Sequence, residues 1–152
     1  MEKLLFEYKE KGLTLGSIES MTGGLFSAKF TEIPGSSAVF KGSIVTYSAE
    51  EKINIVGVKK ETIEKYGVVS EQVAIEMAEK GRKLLNVDVC VSVTGNAGPT
   101  TEPGEKPVGC FYVGVSSKNG TFAKHYQKSQ KRNEVRNSAV LAMQELADLK
   151  NI

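Results

Sequence analysis

Tryptophan is absent from this chain of 152 residues, histidine occurs once and cysteine twice. With His125 alone, no histidine-rich metal centre can be assembled, and any Ser-His-Asp triad would depend on a residue in a basic, edge-like strand. A surface role suits His125 better. Cys90 and Cys110 lie in apolar strand-like runs at a spacing that fits no metal motif, so they read as buried thiols. No apolar stretch approaches the length of a membrane span, and Met1-Glu2-Lys3 has no signal-peptide layout. Charge of one sign is also lacking: 20 basic and 18 acidic residues leave a formal net charge of +2. That balance gives no argument for nucleic acid or an anionic membrane as partner. The expectation is a cytoplasmic protein.

Familiar phosphate and nucleophile signatures are missing as well. No lysine follows a second glycine as the Walker A loop requires, and the first βα turn has no G-x-G-x-x-G. Glu19 and Met21 flank Ser20 without the glycines of a nucleophile elbow, and Gly23 stands where S-x-x-K would place its lysine.

What is present is an ordinary globular composition, 40% hydrophobic and 25% charged, at a length that suits one domain over 1–152. Apolar periodicity gives an α/β chain. Helices are expected at 2–11, 23–32, 48–57, 60–66, 70–85 and 133–149, and strands at 13–19, 39–47, 87–94, 108–117 and 122–127. Lys118-Asn119-Gly120 favours a tight hairpin between the last two strands. Val73, Ala74, Met77, Ala78, Leu84 and Leu85 form the buried stripe of the clearest helix. Residues 95–107, rich in glycine, proline and threonine, form a loop of a length more often functional than filler.

The chain is organised around Ile18-Glu19-Ser20-Met21-Thr22-Gly23-Gly24, a strand, tight turn and helix start. In open α/β sheets ligands collect at such strand ends. Two readings stand side by side: Ser20 as a nucleophile, or Ser20 or Thr22 as a helix cap with Gly23-Gly24 serving the turn. A serine without histidine needs another base, and a lysine of depressed pKa can serve. Lys52 and Tyr47, close to the end of the 39–47 strand, could reach Ser20, or they could be a solvated helix residue and a rim aromatic. Arg132 and Arg136, four apart at the start of the last helix, suit a phosphate by charge and forked donors, or they belong to a solvated basic run.

Six stretches in order carry a resemblance: Glu19-Ser20-Met21-Thr22-Gly23-Gly24, Pro34-Gly35-Ser36-Ser37-Ala38, Val45-Thr46-Tyr47-Ser48-Ala49-Glu50-Glu51-Lys52, Gly67-Val68-Val69-Ser70-Glu71, Val93-Thr94-Gly95-Asn96-Ala97-Gly98-Pro99 and Glu105-Lys106-Pro107-Val108-Gly109. Together they resemble the CinA C-terminal domain family, whose stand-alone members include bacterial nicotinamide mononucleotide deamidases. The resemblance implies a three-layer α/β/α sandwich with a mixed central sheet, a homodimer, and neither metal nor organic cofactor. It implies hydrolysis of the nicotinamide mononucleotide carboxamide to nicotinate mononucleotide and ammonia. Ser20 is then the nucleophile, and Lys52 takes its proton directly or through Tyr47. Substrate-binding positions are Thr22, Gly23, Gly24, Thr94, Gly95, Asn96, Ala97, Gly98, Arg132 and Arg136. The oxyanion is expected at N–H groups near Thr22-Gly23-Gly24 or Gly95-Asn96.

This chain departs from the family at three places. Met21 stands for a usual cysteine, Asn96 for isoleucine, and Thr100-Thr101-Glu102-Pro103-Gly104 for a glycine-rich continuation. The loop is expected to fold over the site, with Glu102 weakening phosphate binding if it points inward. The alternative function is a nucleotide-binding or regulatory module that kept the fold and lost the activity.

Overall fold

The computed structural model describes residues 1–152, in which five strands form one sheet: Leu15–Glu19 (β1), Phe40–Val45 (β2), Val89–Gly95 (β3), Cys110–Ser117 (β4) and Gly120–Gln127 (β5). Their order across the sheet is β2-β1-β3-β4-β5. β1 pairs parallel to both β2 and β3, while β4 and β5 add on antiparallel, so the sheet is mixed. The hairpin turns tightly, with Ser117 paired to Gly120 across Lys118-Asn119. The carboxyl ends of the three parallel strands therefore meet at one edge, presenting Ser20, Thr46-Tyr47 and Gly95-Asn96.

Alternation along the strands sorts side chains to two faces. Leu15, Val89, Val91, Val93, Phe111, Val113 and Val115 join the larger core. It is closed by helices Glu2–Glu10 (α1), Leu25–Thr31 (α2) and Arg132–Leu146 (α6). Ile18 and Cys90 face the other way, into a smaller core with Val73 and Met77 of helix Glu71–Leu85 (α5). Helices Ala49–Glu51 (α3) and Lys60–Tyr66 (α4) complete the set. The three-layer α/β/α arrangement is the one expected.

Two details depart from expectation. Leu84 is 52% exposed, because the inward stripe of α5 ends on Gly81 and Leu85. Gly81 is fixed there by contact: a Cβ would lie 2.3 Å from Ile18 Cγ1. The helix expected at 48–57 is also not uniform. Ser48 caps α3 by accepting from the Glu51 N–H, and the chain then widens into a π turn over Lys52–Val56. Both Gly57 and Val58 donate to the Lys52 carbonyl, at 3.1 and 3.0 Å. Such single π turns are frequent at functional sites, and this one begins at Lys52.

Candidate active site

The turn after β1 is held by the carboxylate of Glu19, the last residue of the strand. Glu19 is fully buried. Its Oε1 accepts from Thr22 Oγ1 at 2.7 Å and the Phe26 N–H at 2.9 Å, and its Oε2 from the Ser27 N–H and Ser43 Oγ, each at 3.1 Å. Free N–H groups at the start of α2 would otherwise attract an external anion. The chain's own carboxylate takes Phe26 and Ser27 instead. Neither Ser20 nor Thr22 caps this helix, so the capping reading fails for both. Gly23 and Gly24 do serve the turn, with φ of +58° and +97°.

Released from capping, Ser20 Oγ accepts a hydrogen bond from Lys52 Nζ at 2.9 Å. Lys52 is fully buried, against the solvated alternative. Its only other partner is the Thr46 carbonyl at 2.7 Å, and it makes no ion pair. Burial penalises the ammonium and lowers its pKa to about 8. At pH 7 roughly one Lys52 in ten is then neutral, against roughly one in three thousand for a solvated lysine. A neutral amine at this distance can take the serine proton.

Tyr47 lies at the rim, 62% exposed, and its hydroxyl accepts from Arg132 Nη2 at 3.0 Å. No hydrogen bond joins it to Ser20 or Lys52, so the direct route is the one with a bond in place. Arg132 also donates to the Gly98 carbonyl and so ties the end of β2 to the 96–107 loop. Arg136 points elsewhere. It donates through Nε to the Met21 carbonyl at 3.0 Å, through Nη2 to the Thr22 carbonyl at 2.8 Å and through Nη1 to Asn133 Oδ1 at 3.1 Å. The two arginines expected to act together are thus divided.

A cavity of about 650 Å³ opens beside Ser20. Of the expected residues, Ser20, Tyr47, Thr94, Gly95, Asn96, Ala97, Gly98 and Arg132 line it; Thr22, Gly23, Gly24, Lys52 and Arg136 do not. Met21 lines it too, packed so closely on Gly95 that a Cβ there would sit 2.6 Å from its sulfur. Two of the expected oxyanion donors are already used. The Gly23 N–H bonds the Ser20 carbonyl at 2.9 Å and the Asn96 N–H the Cys110 carbonyl at 2.9 Å. No backbone carbonyl accepts from the N–H groups of Met21, Thr22, Ala97 or Gly98.

The 96–107 loop folds along the cavity as expected, contributing Thr100, Gly104, Glu105 and Lys106, whereas Glu102 is exposed and outside the lining. Asn96 pins the base of this loop, donating to the Lys106 carbonyl at 2.7 Å. The far wall is the end of α4 and its exit, from Glu64 to Val69; Gly67-Val68-Val69 belong to a stretch that carried the resemblance, but no binding role was expected of them. His125 sits exposed on the edge strand, against Tyr112, away from this cavity. No cluster of metal-ligating side chains occurs, and no helix is long and apolar enough to cross a membrane.

The three-layer α/β/α fold has solved counterparts. The competence/damage inducible protein CihA from Agrobacterium tumefaciens superposes with a TM-score of 0.89 at 35% identity, covering 98% of this chain and 92% of that one. A CinA superfamily protein from Escherichia coli gives a TM-score of 0.91 at 26% identity, covering 95% and 84%. A CinA-like protein of Fervidobacterium nodosum is 45% identical over 142 residues, which are 93% of this chain and 35% of that relative. The chain spans about a third of the length of the curated relatives it matches. The model of the CinA C-terminal domain matches residues 1–150, and the chain belongs to that family.

Proposed function

We propose that this domain is an amidohydrolase that releases ammonia from the carboxamide of nicotinamide mononucleotide, with Ser20 as nucleophile and Lys52 as base. The observation that carries the reading is the 2.9 Å contact between Ser20 Oγ and a fully buried lysine with no counter-ion. Burying an unpaired ammonium costs stability. A nucleotide-binding module would have no use for that arrangement, whereas acyl transfer by a serine with no histidine partner can use the amine as its base.

Neutral Lys52 takes the Ser20 proton as Oγ bonds to the carboxamide carbon, and the carbonyl electrons move to oxygen. The oxyanion is received by backbone N–H groups of the turn that remain unpaired. As the tetrahedral centre collapses, the C–N bond breaks and the Lys52 ammonium returns its proton to the leaving nitrogen, giving ammonia. Water then attacks the acyl ester as Lys52 takes one of its protons; the bond from the acyl carbon to Oγ breaks, the Lys52 ammonium returns that proton to Ser20 Oγ, and the acid leaves as carboxylate with its proton passing to solvent. Arg132, at the first position of α6, has the charge and the helix-end field to hold the substrate phosphate. Tyr47 shares that binding role through its bond to Arg132. A homodimer is part of the same proposal. The test is ammonia release from nicotinamide mononucleotide by purified protein, with Ser20→Ala as control. No release by the wild type would turn the reading toward the binding module.

A further inference from the structure

The carbon that Ser20 attacks is bonded directly to the ring of the amide, so the ring must lie against whatever lines the cavity next to Ser20 Oγ. Two strands decide what that is. β1 and β3 run parallel, with Ile18 opposite Ser92. Carried past that pair, the register sets Ser20 beside Thr94 and Met21 beside Gly95, and all four line the cavity. The second pairing is borne out by contact: a Cβ on Gly95 would sit 2.6 Å from the Met21 sulfur and 2.9 Å from the Cys110 carbonyl oxygen. Gly95 therefore presents bare backbone with the thioether packed on it. Met21 belongs to the larger core, and Arg136 Nε holds its carbonyl at 3.0 Å, so the side chain has little freedom to leave.

The other side of Ser20 is closed through Thr94. Its Oγ1 donates to the Val68 carbonyl at 3.0 Å and so ties Val68 and Val69, which lead into α5, to the strand end. Nearby polar side chains are already committed: Thr94 to Val68, Asn96 to the Lys106 carbonyl and Tyr47 to Arg132. What remains beside the nucleophile is a thioether, bare glycine backbone and two valines.

We propose that Met21 is a specificity-determining residue: its thioether and the Gly95 backbone form one wall, and Val68-Val69 the other, of an apolar slot that takes the planar aromatic ring of the amide and disfavours polar, aliphatic acyl groups. Sulfur against an aromatic ring adds a favourable contact to the burial of the ring. The inference rests on delivery of the carboxamide to Ser20, as proposed above, but its test needs no turnover.

Calorimetry compares nicotinate mononucleotide, which has the ring and no amide to cleave, with ribose 5-phosphate, which lacks the ring. The ratio of the two dissociation constants isolates the ring, and it is measured for wild type, Met21→Leu and Met21→Ala. Wild type should bind the nucleotide more tightly. Met21→Ala should weaken the nucleotide by about tenfold and leave ribose 5-phosphate as before. Met21→Leu conserves volume and should keep most of the preference. The rate at which a fluorophosphonate labels Ser20, followed by mass spectrometry, should stay at the wild-type value in both variants. Equal losses for the two ligands, or a ring preference that Met21→Ala leaves unchanged, would overturn the proposal. So would slowed labelling, which would mean that the change disturbs Ser20 itself. If Met21→Ala does not fold, Met21→Val is read in the same way, with a partial loss of preference expected and the wild-type ratio contradicting. Ammonia release from nicotinamide mononucleotide is followed alongside: its absence in wild type fails the amidase reading, whereas a ring preference that depends on Met21 still upholds the slot.

Discussion

Two segments face each other across the cavity, the 20–24 turn and the 96–107 loop, and they are held very differently. Around the turn, Glu19, Ser20, Met21, Thr22 and Lys52 are all buried, and the chain is fixed by a carboxylate on one side and a guanidinium on the other. The loop is tied to the rest of the chain at Asn96, at the Gly98 carbonyl held by Arg132 and at Lys106, while Thr100 to Glu105 stand exposed. Reacting groups must be held to within a fraction of an ångström, since small misplacements forfeit much of the gain from orientation. Substrate contacts tolerate more variation. In the proposed reaction the chemistry falls on the rigid side and recognition on the adjustable one, so sequence departures in the loop need not touch the reaction.

That division can be broken most sharply at Ser20. Ser20→Ala should lower ammonia release by about a thousandfold or more, as when the nucleophile of a catalytic set is removed. The melting temperature should move little, since one hydroxyl is lost. Turnover close to wild type would remove Ser20 from the mechanism.

Lys52→Met should be almost as inactive and yet more stable. The lysine pKa falls from 10.5 to about 8 on folding, so below pH 8 the folded chain carries a buried charge that the unfolded chain hydrates freely. The folded state binds fewer protons between those values, and wild-type stability therefore rises with pH from about 8 to 10.5. Lowering from 10.5 to about 8 corresponds to on the order of 3 kcal/mol, offset in the variant by the lost contact to Ser20. Denaturant melts at pH 7 and pH 10 should show Lys52→Met ahead at the lower pH and the gap shrinking at the higher. A variant less stable at both would mean that the lysine is a net structural support.

Much of this was legible before the fold was known. Strand, turn and glycines around Ser20 were readable because their periodicity and turn chemistry are local. The smaller strand-end partners were not. Glu19 reads as one more acidic residue until α2 and Ser43 supply its donors. Lys52 reads as solvated until a π turn, which has no composition signature, rotates it inward. Arg136 looks equivalent to Arg132 because both lie on one helix face four residues apart. Only the packing of α6 beside the Met21-Thr22 carbonyls separates them. The wall from Glu64 to Val69 includes Gly67-Val68-Val69 of a resembling stretch, but its place at the site shows only when Thr94 and Lys106 donate to the Val68 and Val69 carbonyls.

On the recognition side the effects should be smaller. Arg132→Ala removes a charge-assisted contact worth about 1.5–3 kcal/mol, so KM for nicotinamide mononucleotide should rise by one to two orders of magnitude. The dephosphorylated riboside should be affected much less. Equal losses for the two would place the phosphate elsewhere. Within the loop, replacing Thr100-Thr101-Glu102 by glycines should shift KM a few-fold and leave kcat nearly intact, because Thr100 lines the cavity and Glu102 does not. Glu102→Gln alone should change neither parameter. A KM response to that single change would show Glu102 reaching the ligand and blur the distinction between the two segments.

The most direct test of the account is the pH dependence of kcat/KM for ammonia release, measured against Ser20→Ala as blank. If buried Lys52 takes the serine proton, kcat/KM rises tenfold per pH unit below the lysine pKa and levels off above about 8. A flat profile between pH 6 and 9, or an inflection near the 10.5 of a solvated lysine, would contradict it.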